Sequence, residues 1–99
     1  MSKPKLHKIK LDIEYCDAVL EGIKPFEVRK NDRLYQKGDL IKFIPVENRK
    51  GVSFDGTIYQ YVVEVDHPIE RETYQITFVV SGRGVSPEYV VLGIERIEL

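Results

Sequence analysis

The stretch Gly22-Ile-Lys-Pro-Phe-Glu-Val-Arg-Lys-Asn-Asp-Arg33 lies where a helix has to end and a strand has to begin. Gly22 readily takes the left-handed conformation that closes helices. Pro25 has no N–H group with which a helix could continue. The residues before this stretch are therefore expected to form a helix, and those after it a strand.

The strand after Pro25 alternates apolar and charged side chains. Side chains in a strand point to opposite faces in turn, so Phe26 and Val28 share one face and Glu27 and Arg29 share the other. The charged face is either a solvated surface with a weak ion pair or the wall of a binding site. Spacing alone favours the solvated surface.

Upstream, residues 6–11 alternate well enough to predict a first strand. Asp12 can accept from free amides as a helix N-cap, and a short helix is expected over residues 13–21. The apolar positions of that helix recur at helical spacing and predict a buried stripe. They are Tyr15, Ala18, Val19 and Gly22.

Downstream, four more strands are expected, separated by turn-forming residues. They are residues 40–46, 57–65, 73–81 and 89–94, the last with a continuation toward Leu99. A polar loop is expected over 47–56, and Gly82-Arg83-Gly84 reads as a turn. Inward faces are assigned to Tyr59, Tyr61, Val63 and Val65 in one strand and to Tyr74, Ile76, Phe78 and Val80 in the next.

These elements predict one α+β domain, mainly β, over residues 1–99. The short connections indicate a mostly antiparallel small barrel or curled sheet of five to six strands, covered by one short N-terminal helix. A chain of 99 residues is long enough for one modest core.

Composition excludes several classes of protein. The chain is 42% hydrophobic and 31% charged, without an apolar run long enough for a membrane helix or a signal peptide, so a cytoplasmic location is expected. Cys16 is the single cysteine and is expected to be buried and inert. His7 and His67 lack companion ligands, so neither a metal nor another cofactor is expected.

Charge is distributed unevenly along the chain. Residues 1–50 carry nine Lys and three Arg against eight acids, 12 − 8 = +4, and residues 51–99 carry three Arg against eight acids, 3 − 8 = −5. Such asymmetry is a hint of a face that binds a polyanion, although folding can also interleave the two halves.

The candidate site residues lie mainly in the opening stretch. Arg29 could hold a phosphate or carboxylate with two hydrogen bonds, Lys24 could add a mobile cation, and Glu27 could accept from a base amine. Lys30, Arg33 and Lys37 could meet phosphates, with a solvated loop as the alternative. Among the tyrosines Tyr35 is the best candidate for stacking on a base, ahead of Tyr59, Tyr61, Tyr74 and Tyr89.

A family resemblance extends this interpretation. The pattern Gly22-x-Lys24-x-x-Glu27-x-Arg29 resembles the GxKxxExR signature of ASCH domains in the PUA-like superfamily. The segments Gln36-x-Gly-Asp39 and Glu88-Tyr-Val-Val-Leu-Gly-Ile94, with an early His7, are similar to a compact bacterial and phage branch described as a domain of unknown function. This resemblance adds His7 to the residues expected to bind the ligand.

The resemblance implies a PUA-like β-barrel whose cleft is lined by the motif, and a ligand that is RNA, a nucleotide or a modified base. One ASCH branch consists of amidohydrolases of acylated cytidine, in which Lys24 matches the motif lysine but Thr stands where this chain has Glu27. A small hydrolase using Lys24 and Glu27 is therefore the second hypothesis, and a module that binds another protein through a sheet edge or loops is the third.

Overall fold

The computed structural model describes residues 3–82 and 84–98. Six strands and one α-helix lie within them, in agreement with the predicted α+β, mainly β class. Their bounds are β1 Leu6–Asp12, α1 Ile13–Leu20, β2 Phe26–Lys30, β3 Leu40–Val52, β4 Ile58–Glu64, β5 Thr73–Val80 and β6 Tyr89–Ile97, with a 3-10 helix at Pro68–Arg71.

The strands form one sheet in the order β1-β3-β5-β6-β2, and β4 pairs with the second half of β3. The β1–β3 pair is parallel, whereas the other four pairs are antiparallel, as predicted for most of the sheet. Within the described residues β1 and β2 are the two ends of this path, so the sheet is curled rather than closed into a barrel.

The segment after β2 crosses the gap between the two ends of the sheet. The Nη1 group of Arg33 donates a hydrogen bond to the carbonyl of Lys8 in β1 at 3.0 Å. The ring of Tyr35 packs on the ring of His7, with 4.8 Å between centroids. These contacts connect the segment after β2 to β1 and stabilise the curled sheet. In a closed barrel, hydrogen bonds between the two end strands would do this.

The helix begins and ends as predicted. Asp12 Oδ1 accepts from the amide of Glu14 at 3.0 Å. Gly22 has φ +78°, its N–H donates to Val19 O, and the N–H of Ile23 donates to Ala18 O. This pair of bonds is a Schellman motif, which satisfies the last carbonyls of the helix.

The core lies inside the curl, where α1 covers it with Cys16 and Val19. Tyr15 is 46% exposed, so its predicted place in the buried stripe is wrong. The other core side chains come from all parts of the sheet and from the 3-10 helix: Ile9, Leu11, Ile41, Phe43, Ile69, Tyr74, Ile76, Val90, Leu92 and Ile94. Burial raises the pKa of Cys16 to about 11, with smaller contributions from nearby carboxylates, in keeping with an inert thiol.

The inward face of β5 changes half-way along the strand. Tyr74 and Ile76 are buried as predicted, but Phe78 and Val80 are exposed and Val79 packs against the core instead. The register to β6 shifts between Ile76 and Phe78. An extra residue at such a bulge reverses the alternation that follows it.

β3 continues to Val52, so most of the predicted loop 47–56 is strand. We call residues 46–64 the arm: the second half of β3, a turn, and β4. Tyr59 and Tyr61 are 48% and 41% exposed there, so the prediction that they are core residues is wrong. They lie on a two-stranded ribbon that extends beyond the rest of the sheet, and the chain measures 55 Å along its longest axis.

Two further connections of the chain lie at the 3-10 helix and between β5 and β6. His67 caps the 3-10 helix by accepting from the amide of Ile69 at 3.0 Å. Gly82 and Gly84 have positive φ, as expected of a turn. Arg83 lies outside the described residues. Across the part of the chain that the structure describes, no helix is long and apolar enough to cross a membrane.

Candidate ligand-binding site

The charged face of β2 turns inward. Glu27 is 2% exposed, whereas Phe26 and Val28 are about half exposed on the outer face. Glu27 is paired with Leu92 and Arg29 with Val90, and directly paired residues share a face. Because these β6 residues are buried, Glu27 and Arg29 face the interior, and the alternative of a fully solvated charged face does not hold.

Glu27 lies between two cations. Lys24 Nζ donates to Glu27 Oε1 at 3.0 Å, and Arg29 Nη1 lies 3.7 Å from Oε2. The side chain of Glu27 is 3% exposed, and those of Lys24 and Arg29 are about one quarter exposed. A buried carboxylate is tolerated only when paired charges and hydrogen bonds offset the loss of its hydration. We call Lys24, Glu27 and Arg29 the charged cluster.

The side chain of Lys24 is contacted on several sides. Lys24 precedes β2, so the alternation of that strand could not predict which way this side chain points. Its ammonium lies 4.8 Å from the ring centre of Tyr15 and 5.6 Å from that of Phe26. A cation over aromatic rings gains a further electrostatic attraction. The carboxylate of Glu27 therefore forms ion pairs with Lys24 and Arg29. A base amine could hydrogen-bond to its Oε1 only if Lys24 moved away.

A cavity of about 310 Å³ opens beside Arg29. Its lining carries three cations and one acid, 3 − 1 = +2. The lining residues are Val28, Arg29, Lys30, Asp32, Arg33, Tyr35 and Tyr89. Arg33 uses one of its donors on Lys8 O, which leaves the others of its guanidinium for a ligand. The volume and charge suit a phosphate with a small group attached to it.

His7 and Tyr35, both predicted to bind ligand, have different surroundings. His7 is 7% exposed and lies outside the lining of this cavity; its Nε2 is 2.8 Å from Asp39 Oδ2. Tyr35 is 8% exposed and borders the cavity while packing on His7. An almost buried ring offers little area for stacking, so Tyr89, 39% exposed on the same cavity, presents the larger aromatic surface.

Asp39 has a structural role that its place in the Gln36-x-Gly-Asp39 segment did not predict. It is buried, and its carboxylate accepts from the amides of Lys5 and Gln36, each at 3.1 Å, besides contacting His7. Burial acts to raise the pKa of Asp39, but the hydrogen bonds from His7, Lys5 and Gln36 together lower it below its usual value. Asp39 thereby fixes the loop that carries Tyr35.

A match to a protein family covers this site. The model of a family described as "Domain of unknown function (DUF3850)" matches residues 6–94. The chain belongs to this family. The DUF3850 match extends from β1 into β6, so it includes the charged cluster and all residues that line the cavity.

A phage protein is similar to part of this DUF3850 chain. Over 37 residues the chain is 51% identical to the "Uncharacterized 12.9 kDa protein in GpA 3'region" of Escherichia phage P2. The similar stretch covers 37% of this chain and 34% of the phage protein.

Not all of the other predicted cations lie at the cavity beside Arg29. Lys37 is absent from the lining of the cationic cavity, whereas Lys30 and Arg33 are part of it. A larger cavity of about 530 Å³ at the root of the arm has Lys8, Lys42 and three acids in its lining, so its charges largely cancel. Among the described residues no three His, Cys, Asp or Glu side chains are grouped as a metal site.

Proposed function

We propose that this domain binds a nucleotide unit, either free or within a single strand of RNA, in the cavity beside Arg29. The observation that carries the proposal is the arrangement of Arg29, Lys30 and Arg33 around a cavity of about 310 Å³, with a buried carboxylate 3.7 Å from Arg29 Nη1. Fixed guanidinium groups are well suited to phosphate, which they can hold through two parallel hydrogen bonds.

Each part of the site has a role in this proposal. Arg29 and Arg33 hold the phosphate, Lys30 adds positive charge at the rim, and Tyr89 supplies a face on which the base stacks. Glu27 positions Arg29 and Lys24 rather than contacting the phosphate, because like charges would repel. The proposal keeps Arg29, Lys30 and Arg33 as ligand-binding residues and changes Glu27 from ligand acceptor to positioning residue. Tyr89 takes the stacking role predicted for Tyr35, and His7, which lies outside the cavity lining, has no contact with the ligand.

The resemblance to ASCH domains supports the same class of ligand. Its signature falls on Gly22, Lys24, Glu27 and Arg29, and the PUA-like superfamily is associated with RNA and with single bases. The basic first half of the chain, +4 over residues 1–50, also favours a polyanion over an acidic partner surface.

The test is a set of titrations at low salt, about 20 mM, where phosphate contacts are strongest. The four nucleoside monophosphates, a single-stranded RNA decamer, tRNA and inorganic phosphate are added separately to the protein. Arg29→Met should weaken nucleotide binding at least about ten-fold, which corresponds to about 1.4 kcal/mol. Arg49→Met removes the same charge from the arm and should leave binding unchanged.

The ligands separate the sources of the nucleotide. Binding of RNA without binding of monophosphates indicates a strand, and comparable binding of both indicates a free nucleotide. If none of these ligands binds in the range of tens of micromolar, or if folded Arg29→Met binds as the wild type does, the proposal fails.

A second candidate is hydrolysis of an acylated nucleoside, favoured by the 3.0 Å contact between Lys24 Nζ and Glu27 Oε1. A carboxylate beside an amine could serve as a general base or a nucleophile. Against this, Glu27 is almost wholly buried and carries a cation on each oxygen. Incubation with N4-acetylcytidine decides the matter: absence of turnover by folded protein between pH 6 and pH 9 removes this candidate.

A further inference from the structure

The arm presents an edge strand that nothing in the described chain covers. β4 pairs with β3 and with no other strand of residues 3–82 and 84–98. The exposed large apolar side chains concentrate there: Val52, Phe54, Ile58, Tyr59, Tyr61 and Val62. An exposed edge of this kind is a template for pairing with another strand.

Two hydrogen bonds at the ends of β4 show which of its residues bond to β3 and which face the free edge. The amide of Ser53 donates to Thr57 O at 2.8 Å, and the amide of Val65 donates to Pro45 O at 3.0 Å. In an antiparallel pair such bonded positions recur at every second residue. The odd-numbered residues of β4 therefore bond to β3, and the even-numbered residues direct their N–H and C=O groups to the free edge. These even-numbered residues are Ile58, Gln60, Val62 and Glu64.

The free edge lacks the features that usually prevent pairing. Proteins protect edge strands with lysine, proline, bulges or very short strands. β4 is seven residues long, its register to β3 is continuous, and Glu64 at its end is its one charged residue. The remaining residues are β-branched, aromatic or glutamine, all compatible with a longer sheet.

The surface area of the chain is larger than its mass predicts. A monomeric protein of 11.5 kDa is expected to expose about 5,800 Å² by the usual scaling, whereas this chain exposes 7213 Å². Its radius of gyration is 15.6 Å, against about 12.6 Å for a compact domain of this length. The excess of about 1,400 Å² is of the size that one subunit buries in a stable homodimer.

We propose that β4 pairs antiparallel with β4 of a second copy of this chain, which makes one continuous sheet across a two-fold axis. The register that pairs all seven residues places Tyr61 on the axis. Gln60 then pairs with Val62, Tyr59 with Val63, and Ile58 with Glu64, each across the interface. No like charges face each other, and the two copies bury the apolar side chains of both arms.

The same register brings the tip of each arm to the root of the other. Because the two strands are antiparallel, residues before Tyr61 in one copy lie opposite residues after Tyr61 in the other. Residues 56 to 54 of one copy are therefore directed toward residues 66 to 68 of the other. The cavity of about 530 Å³ lies at that root, lined in part by Glu64, Val65, Asp66 and Glu70. Phe54, fully exposed at the tip, is thereby placed next to a cavity with Phe43 and Pro45 in its wall.

Sedimentation velocity of the full chain between about 5 and 500 µM tests the pairing. The wild type should have about twice the mass of 11.5 kDa. Val62→Lys adds a charge at the free edge and should raise the dimer dissociation constant at least ten-fold. Val80→Lys is the matched control, because it places the same substitution on an exposed position of β5, and it should dimerise as the wild type does.

Cross-linking tests the register independently of those variants. Tyr61→Cys places two thiols opposite each other on the axis and should form an intermolecular disulfide under mild oxidation. Tyr59→Cys separates its two thiols by four residues, about 13 Å along the strands, and should not. A wild type that stays monomeric, dissociation by Val80→Lys instead of Val62→Lys, or equal cross-linking of the two cysteine variants overturns the proposal.

Discussion

Glu27 shows at the scale of one residue how a carboxylate can be buried. Lys24 lies at one of its carboxylate oxygens and Arg29 at the other, and both cations remain about one quarter exposed. The cations thus keep part of their hydration while the carboxylate gives up nearly all of its own. This arrangement is less costly than burying all three charges, and Arg29 also borders the cavity.

Removal of this charge should cost more stability than removal of a similar charge at the surface. Glu27→Gln leaves Lys24 and Arg29 without their counter-ion and should lower the free energy of unfolding by about 1–3 kcal/mol. Glu47→Gln breaks a Glu–Arg pair that is about half exposed, and should cost no more than about 1 kcal/mol. Urea unfolding followed by circular dichroism measures both, and equal losses would contradict the burial argument.

Asp39 should make stability depend on pH in the acid range. Its pKa is lower in the folded chain than the usual 3.8, so the carboxylate stabilises the fold fully above that value. The contribution is lost as the pH falls below 3.8 and the folded carboxyl becomes protonated. Asp39→Asn should therefore be destabilised at pH 7 by about 1–3 kcal/mol, and its difference from the wild type should shrink toward pH 3. A difference that stays constant with pH would contradict this account.

At the scale of elements, alternation could be predicted from the sequence but the inward face could not. In β2 the sequence shows that Glu27 and Arg29 share a face. Which face is inside depends on pairing with Val90 and Leu92, a contact across more than sixty positions in the chain. In β5 the bulge after Ile76 reverses the face, and no residue in that strand signals it.

The helix boundaries were predictable because their signals are local. Asp12 caps α1, and the same carboxylate accepts from Asn48 Nδ2 at 2.7 Å, which ties the helix to the base of the arm. Asp12→Ala should lower stability by about 1–2 kcal/mol through loss of the cap. Asp12→Ser keeps an acceptor for the helix amide and should recover most of that loss. Identical unfolding curves for the wild type and Asp12→Ala would show that the cap contributes nothing.

At the scale of the whole molecule, the sequence predicted the number of strands and the position of the helix, but not the open sheet or the arm. Residues 47–56 are polar and rich in glycine and therefore resemble a loop, although Glu47 to Val52 pair with β4. Tyr59 and Tyr61 resemble core residues because their alternation is that of a half-buried strand. The ribbon leaves them exposed because neither of its faces is covered along most of its length.

Only part of the candidate site could be predicted, because some of its residues are close in sequence and others are brought together by the fold. Lys24, Glu27 and Arg29 are close in sequence, so a short motif sufficed to group them. Tyr89 enters the cavity through the pairing of Lys30 with Tyr89, and Asp39 acts through the fold of a loop. Such non-local contacts leave no periodic signal in one sequence.

Binding of a nucleotide unit beside Arg29 can be followed residue by residue with NMR of the arginine side chains. The Nε–H resonances are followed while cytidine or adenosine monophosphate is added to the ¹⁵N-labelled protein at low salt. We expect saturable shifts of the Arg29 and Arg33 resonances, with those of Arg49 and Arg96 unchanged. Arg29 and Arg33 resonances that stay in place up to millimolar nucleotide, or shifts confined to Arg49 and Arg96, would contradict binding at this site.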